Sequence, residues 1–184
     1  MTVFGPTFGA ELAAAGLIGL PFSWSTDGSV CFGPTINDAD KAKIEAVIAA
    51  HDPNKMSPAL LHSYAATKKS SIEQGGITIN GVAVATDRGS QAMITQTVLG
   101  LMLVPNVEIN WKNPDGSFTM LSAAELQGIA CIVVQYVAQT FNVLSQVQSL
   151  IDAGTLTTTD QIDAYFAQHI TTSFTTPSAS QPSS

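Results

Sequence analysis

From Ser122 onward, apolar residues return every three or four positions: Leu126, Ile129, Ala130, Val133, Val137, Leu144, Val147 and Ile151. That spacing draws one stripe along a rod and predicts a helix over 122–151, about 45 Å long. A second apolar line, Ile132, Val134, Phe141 and Val143, gives the same helix a second face to cover. Polar relief comes from Gln127, Gln135, Gln139, Asn142, Gln146 and Gln148. The start is set by Ser122 and Glu125, an S-x-x-E capping box in which each side chain takes a backbone N–H of the other residue. A long helix with two apolar faces is a core element or an assembly element.

Shorter patterns precede it. Positions 8–15 predict a helix stopped by Gly16. Strands at 20–25 and 29–32 flank Thr26-Asp27-Gly28, a hairpin signal. Asn37 or Asp38 then caps a helix over 39–50 with Ile44, Val47 and Ile48 inside, and His51-Asp52-Pro53 ends it. Ser57-Pro58 opens the next helix, which passes Leu60, Leu61, Tyr64, Ala65 and Lys68 before Gly75-Gly76 stops it. Strands 77–79 and 82–84 flank Asn80-Gly81, the strongest short-range hairpin signal. Thr86 or Asp87 caps a helix reaching Leu103, with Met93, Ile94, Val98, Leu101 and Met102 inside and Pro105 closing it. A hairpin over 107–112 and 117–121 turns at Asn113-Pro114-Asp115-Gly116. After the long helix, Gly154 is a break. Thr159 or Asp160 caps a helix over 161–169 with Ile162, Tyr165 and Phe166 inside.

These elements predict an α+β fold, mainly helical, with two or three short antiparallel β-hairpins packed on long helices. The expected organisation is an N-terminal hairpin–helix module (1–56), a helix–hairpin–helix–hairpin–long-helix domain (57–170) and a Ser/Thr/Pro-rich tail (171–184) whose composition does not order itself. One unit recurs. FSWSTDGSVCF followed by a helix resembles INWKNPDGSFTML followed by a helix, with Trp24 opposite Trp111. A lone two-stranded hairpin is marginal in water, so each must lie on a helix, with its Trp as anchor.

Composition narrows the class. Charged residues are only 11% of the chain, against about 25% in a typical globular domain. Such a surface favours burial by partners. The net charge of −7, with no basic residue after Lys112, argues against nucleic acid and against anionic membrane surfaces. The start lacks a positive n-region, and the run 129–134 is too short for a membrane span. Cys31 and Cys131 read as small buried apolar residues, and two cysteines make no disulfide framework.

Candidate chemistry is sparse. His51, His62 and His169 lie far apart, with no H-x-x-x-H, C-x-x-C or H-E-x-x-H spacing for zinc. His51 reads first as a helix-end residue favoured by the C-terminal dipole, and Lys68-Lys69 likewise. Gly75-Gly76 with Gly81 lacks both G-x-G-x-x-G and G-K-[ST], so it reads as a turn and not a phosphate cradle. No G-x-S-x-G marks a serine nucleophile. Glu73, Glu108 and Glu125 are candidates for a carboxylate pair, each with a surface or capping role as the alternative. Gly100 and Gly128 inside helices cost about 1 kcal/mol each relative to Ala, which suggests close helix approach there or tolerated drift. No catalytic, cofactor-binding or metal-ligating residue is assigned.

From about 62 to 169 the runs KKSSIEQGGITINGVAVATD and EINWKNPDGSFTMLSAAELQGIA resemble a domain family of unknown function found in tail-fibre and baseplate-region proteins of tailed bacteriophages. The front, ELAAAGLIGLPFSWSTDG with AVIAAHDP, resembles a module that begins other phage tail proteins. The resemblance implies a structural virion protein of the tail, in the baseplate or fibre attachment, made in the host bacterial cytoplasm. Its implied partners are other tail, baseplate or fibre proteins and further copies of itself, with a trimer favoured by analogy to threefold fibres. A fibre-assembly chaperone absent from the finished particle is the alternative. An enzyme would require a pocket that gathers the histidines with carboxylates.

Overall fold

The computed structural model describes residues 3–104 and 107–175. The chain is α+β and mainly helical, with short antiparallel hairpins among the helices. It forms two compact units. The first comprises residues 1–64 and 149–162, the second 65–148 and 163–184. The division is thus not linear in sequence: the end of the long helix and the start of the last one belong with the N-terminal residues.

The first unit contains α1 (Phe8–Ala14), β1 (Phe22–Trp24), β2 (Val30–Phe32) and α2 (Asp38–Ala50). Gly16 takes φ +70° just after α1, a conformation a side chain would strain. β1 and β2 pair antiparallel with Phe22 opposite Phe32. Asn37 caps α2 by accepting the Asp40 N–H at 2.8 Å. Phe4, Phe8, Leu12, Leu17 and Ile44 form the core, and Phe22, Val30, Phe32, Val47 and Ile48 pack against it. The Phe4 and Phe8 rings stack with centroids 3.8 Å apart. Gly5 runs so close to Pro53 that a Cβ would overlap the Pro53 carbonyl oxygen. Later chain joins this unit where Met56 N–H donates to the Thr157 carbonyl at 2.9 Å.

Three helices contribute residues to both units: α3 (Pro58–Gln74), α5 (Ala123–Asp152) and α6 (Thr159–His169). The second unit adds β3 (Ile77–Ile79), β4 (Val82–Val84), α4 (Arg88–Leu103), β5 (Ile109–Lys112), β6 (Phe118–Leu121) and β7 (Ser173–Phe174). Asn80 (φ 51°) and Gly81 (φ 81°) make the β3–β4 turn, whose positive φ pair matches the twist of the strands. Asp87, not Thr86, caps α4, taking the N–H groups of Gly89 and Ser90 at 2.9 and 3.1 Å. Thr86 is buried instead. Its hydroxyl donates to the Glu73 carbonyl at 2.6 Å and accepts the Gly76 N–H at 2.9 Å, tying the end of α3 to the entry of α4. The capping box of α5 is closed in both directions: Ser122 N–H to Glu125 at 2.9 Å, and Glu125 N–H to Ser122 Oγ at 3.3 Å. At α6 the cap is Thr158, one residue before those expected, accepting the Gln161 N–H at 3.3 Å.

The core of the second unit is Ile77, Ile79, Val84, Ile94, Ile132, Val133 and Tyr136, with Trp111, Ile129, Val137 and Phe174 against it. Several expectations need correction here. Ile132 and Val143 are buried, while Val134 and Phe141 are 67% and 55% exposed. Ile132 and Val143 lie eleven residues, close to three full turns, apart, so they fall on the inner stripe and not on a second apolar face. Tyr136, missing from the expected stripe, is fully buried, and its hydroxyl donates to the Ile72 carbonyl at 2.5 Å. Burial, and then the nearby Glu73 carboxylate, push that phenol above its usual range. On α4, Ile94 and Leu101 are buried but Met93 and Met102 are exposed, because the helix offers only one narrow side to its neighbours. Cys31 and Cys131 are free and exposed, not buried. The tail also departs from expectation at its start: Ser173 and Phe174 pair in parallel with Thr78 and Ile79. Phe174 supplies the apolar surface that the Ser/Thr content of the tail lacks, packing edge-on to Tyr136. Pro105 and residues 176–184 lie outside the described residues.

Candidate functional site

The three histidines are each engaged separately. The His51 ring is enclosed by Phe4 and Phe8. Its Nε2 accepts the Gly5 N–H at 2.9 Å, so its proton sits on Nδ1, which donates to Glu11 at 2.7 Å. Glu11 also accepts the Thr7 hydroxyl at 2.8 Å. His51 therefore stitches the N-terminal segment to the end of α2, more than it answers a helix dipole. His62 meets Asp152 at 2.8 Å, and His169 Nδ1 donates to the Tyr165 carbonyl at 2.8 Å with the two rings stacked. Among the described residues, no three of His, Cys, Asp and Glu are grouped to hold a metal ion.

The lysine pair is not at a helix end either. Lys68 and Lys69 sit inside α3, and the last turn of that helix has no basic residue. Lys68 reaches Asp163 at 3.1 Å. Lys69 is buried, bonds Glu73, and stands 3.2 Å over the Phe141 ring. The ammonium is thus held between a carboxylate and an aromatic face, a cation–π arrangement. The candidate carboxylates are accounted for in two cases: Glu73 by Lys69, Glu125 by Ser122. Ser122 N–H and hydroxyl together hold the Glu125 carboxyl below its usual range. Glu108 is exposed.

A hollow in the second unit has a volume of about 830 Å³. Its walls are Val84, Trp111, Ile129, Ile132 and Phe174, and Asn113, Gln135 and Cys131 add polar edges. Its one charged wall residue is Glu125, already turned to the helix cap. Such a hollow suits neutral, largely apolar matter, whether a side chain or a small molecule. Among the described residues, its walls carry no cation. Gly128 lines it too. Among the described residues nothing stands within 4 Å of where a Cβ on Gly100 would be, which favours tolerated drift over close helix approach there.

What the second unit does display is uncovered apolar surface. Leu99, Met102 and Leu103 on α4 are 57%, 69% and 84% exposed. Phe118 and Met120 point outward from β6, while Thr119 and Leu121 point in. α5 is long and apolar enough, by length and composition alone, to cross a membrane; its mean hydropathy is 1.4 over 18 residues, of which 28% are buried. A core helix passes the same test, and here the inner side of α5 carries the core of the unit. Sequence reasoning located this helix but not the side of it that stays open, since two apolar lines alone do not say which one the hairpins cover.

The family described as "Domain of unknown function (DUF4376)" matches residues 56–167. The chain belongs to this family. The DUF4376 segment spans α3 to nearly the end of α6, including both the β3–β4 and β5–β6 hairpins. No curated protein and no solved structure matches the chain.

Proposed function

We propose that this DUF4376 protein is a structural component of a bacteriophage tail, in the baseplate or at the fibre attachment, that acts by protein–protein assembly. The observation that carries the assembly role is the open apolar surface of the second unit, on α4, β6 and α5, in a chain with few charges. Surfaces of that kind are the mark of interaction sites when they are contiguous and rimmed by polar groups. The placement in a phage tail rests on the resemblance of the quoted runs, and not on the fold. In this reading the partners are other tail, baseplate or fibre proteins and further copies of the chain, a trimer being favoured. The chain is made in the host bacterial cytoplasm and resides in the virion. α5 serves as a core and interface helix in this reading, with no part for membrane, nucleic acid, metal or cofactor. Each histidine is hydrogen-bonded within the chain, and none is among the residues lining the hollow.

Mass spectrometry of purified virions tests the proposal. Recovery of the chain in the particle at a fixed ratio to other tail proteins is the expected result. Abundance in the infected lysate with absence from particles would replace it with the fibre-assembly chaperone. Absence from both virions and fibre complexes would overturn both readings.

A further inference from the structure

The two sides of β3 are held unequally. Thr78 and Asn80 donate their N–H groups to the Thr172 and Phe174 carbonyls at 2.8 and 2.9 Å. In an antiparallel ladder successive N–H groups alternate sides, so those of Ile77 and Ile79 face β4. The β4 side is closed by the Asn80-Gly81 turn and by buried Val84 and Thr86. The β7 side is closed by residues 171–175. Of these, Thr171, Thr172, Ser173 and Thr175 are exposed, and the half-buried Phe174 packs on the core, edge-on to Tyr136. One side chain grips the start of the segment: Gln139 donates to the His169 carbonyl at 2.9 Å and accepts the Thr171 N–H at 3.3 Å. Phe174 and Thr175 also form part of the wall of the hollow.

We propose that residues 171–175 are a strap that unlatches as one piece and serves as the movable wall of the hollow. The hinge lies between Ile170 and Thr171. Ile170 still donates its N–H to the Phe166 carbonyl at 3.0 Å, and its side chain packs on the core. Beyond it, one aromatic ring, the bonds to β3 and the Gln139 grip hold five residues. Releasing them exposes little apolar surface, so this opening costs a fraction of what unfolding the unit costs. The rest of the unit keeps its own ties: Tyr136 stays bonded to the Ile72 carbonyl, and Thr86 to the Glu73 carbonyl and the Gly76 N–H. Opening removes Phe174 from the wall of the hollow and bares the Thr78 and Asn80 N–H groups. Access to the hollow is thereby set by the strap. The inference goes beyond the assembly role and does not depend on it, since it concerns the isolated chain.

Native-state hydrogen exchange of the full chain, followed by NMR at low urea concentrations, tests the strap. The amides of Thr78, Asn80 and Thr171 should open together, with protection at least ~10-fold below that of Ile77 and Ile79 and with a much weaker dependence on urea. Gln139→Ala should raise exchange at Thr78 and Asn80 by about 5- to 10-fold, because the grip is lost. A chain ending at Ile170 should remain folded by circular dichroism and keep Ile77 and Ile79 protected. In a Trp24→Phe background, that truncation should increase acrylamide quenching of Trp111, which shares the wall of the hollow with Phe174. Equal protection and equal urea dependence at all four β3 amides would overturn the proposal. So would a truncated chain that fails to fold, since the segment would then belong to the cooperative core. Exchange at Thr78 and Asn80 as fast as in an unfolded chain would also overturn it, as would Trp111 quenching that truncation leaves unchanged.

Discussion

The two Asp-Gly hairpins are built alike at the turn and differently at the anchor. In the first, Asp27 accepts the Ser29 N–H at 2.9 Å and its hydroxyl at 2.6 Å; in the second, Asp115 does the same to Ser117 at 2.9 and 2.6 Å. Gly28 and Gly116 take φ +91° and +87°. Ser25 N–H closes on the Ser29 carbonyl, as Asn113 N–H does on that of Ser117. Counted from those turns, however, Trp24 is one residue before the start and Trp111 is two. In a strand, one residue exchanges faces. Trp111 therefore shares the inward side with Ile109, Thr119 and Leu121 and packs on the core, whereas Trp24 stays 40% exposed and leans on Phe8 and Phe22, centroids 5.9 and 5.7 Å away. The pairing of Trp24 with Trp111 suggested by the sequence is a likeness of composition, and not of position.

The contrast says that turn chemistry is local and repeatable, while anchoring depends on what the rest of the unit supplies. It can be broken most forcefully at Phe8, the residue against which Trp24 leans. Phe8→Ala empties a fully buried site and should destabilise by about 3–5 kcal/mol in denaturant unfolding. Next comes the Trp pair. Trp111→Ala should cost about 2–3 kcal/mol and Trp24→Ala about 1, in proportion to the area each buries. Equal losses would mean that both are anchors after all. Gly28→Ala and Gly116→Ala should then cost the same, about 1–2 kcal/mol each, because the strain of a positive φ belongs to the turn and not to its surroundings. Unequal costs would break the claim of a shared turn.

The smallest effect is electrostatic. The Ser29 hydroxyl and N–H hold the Asp27 carboxyl below its ordinary range, and the Ser117 hydroxyl and N–H do so for Asp115. The cap residues Asp87 and Glu125 are lowered in the same way by Ser90 and Ser122. A carboxyl lowered by folding binds fewer protons folded than unfolded. Its contribution is present above the unfolded value, near pH 4, and is lost as pH falls through the lower folded value. Thermal unfolding followed from pH 7 to about 2.5 should show a loss below about pH 4 that shrinks by the same small amount in Asp27→Asn and in Asp115→Asn. A loss that begins near neutrality would point to other groups.

Much of the fold was readable because its boundaries are chemical. Asn37, Asp87, Ser122 and Gly154 act within a few residues of themselves, and each stands where its element begins or ends. Faces were less readable. Met93 and Met102 look as inward as Ile94 on a helical wheel drawn with loose limits, and only the packing of neighbours on one side separates them. Tyr136 stands outside the expected stripe, yet the Ile72 carbonyl satisfies its hydroxyl and its ring joins the core. β7 was hidden in a Ser/Thr-rich tail, since two residues of strand have no period to detect. The open surface was legible only as an excess of apolar residues; which of them stay uncovered depends on contacts hundreds of ångströms squared in extent, beyond any local pattern.

The proposed assembly role requires contacts through the open apolar surface. Cross-linking mass spectrometry on intact phage particles tests it most directly, through exposed lysines such as Lys41, Lys55 and Lys112. The expected result is links from this chain both to itself and to other tail proteins. Particles in which it is present but joined to nothing, neither to its own copies nor to a neighbour, would contradict it.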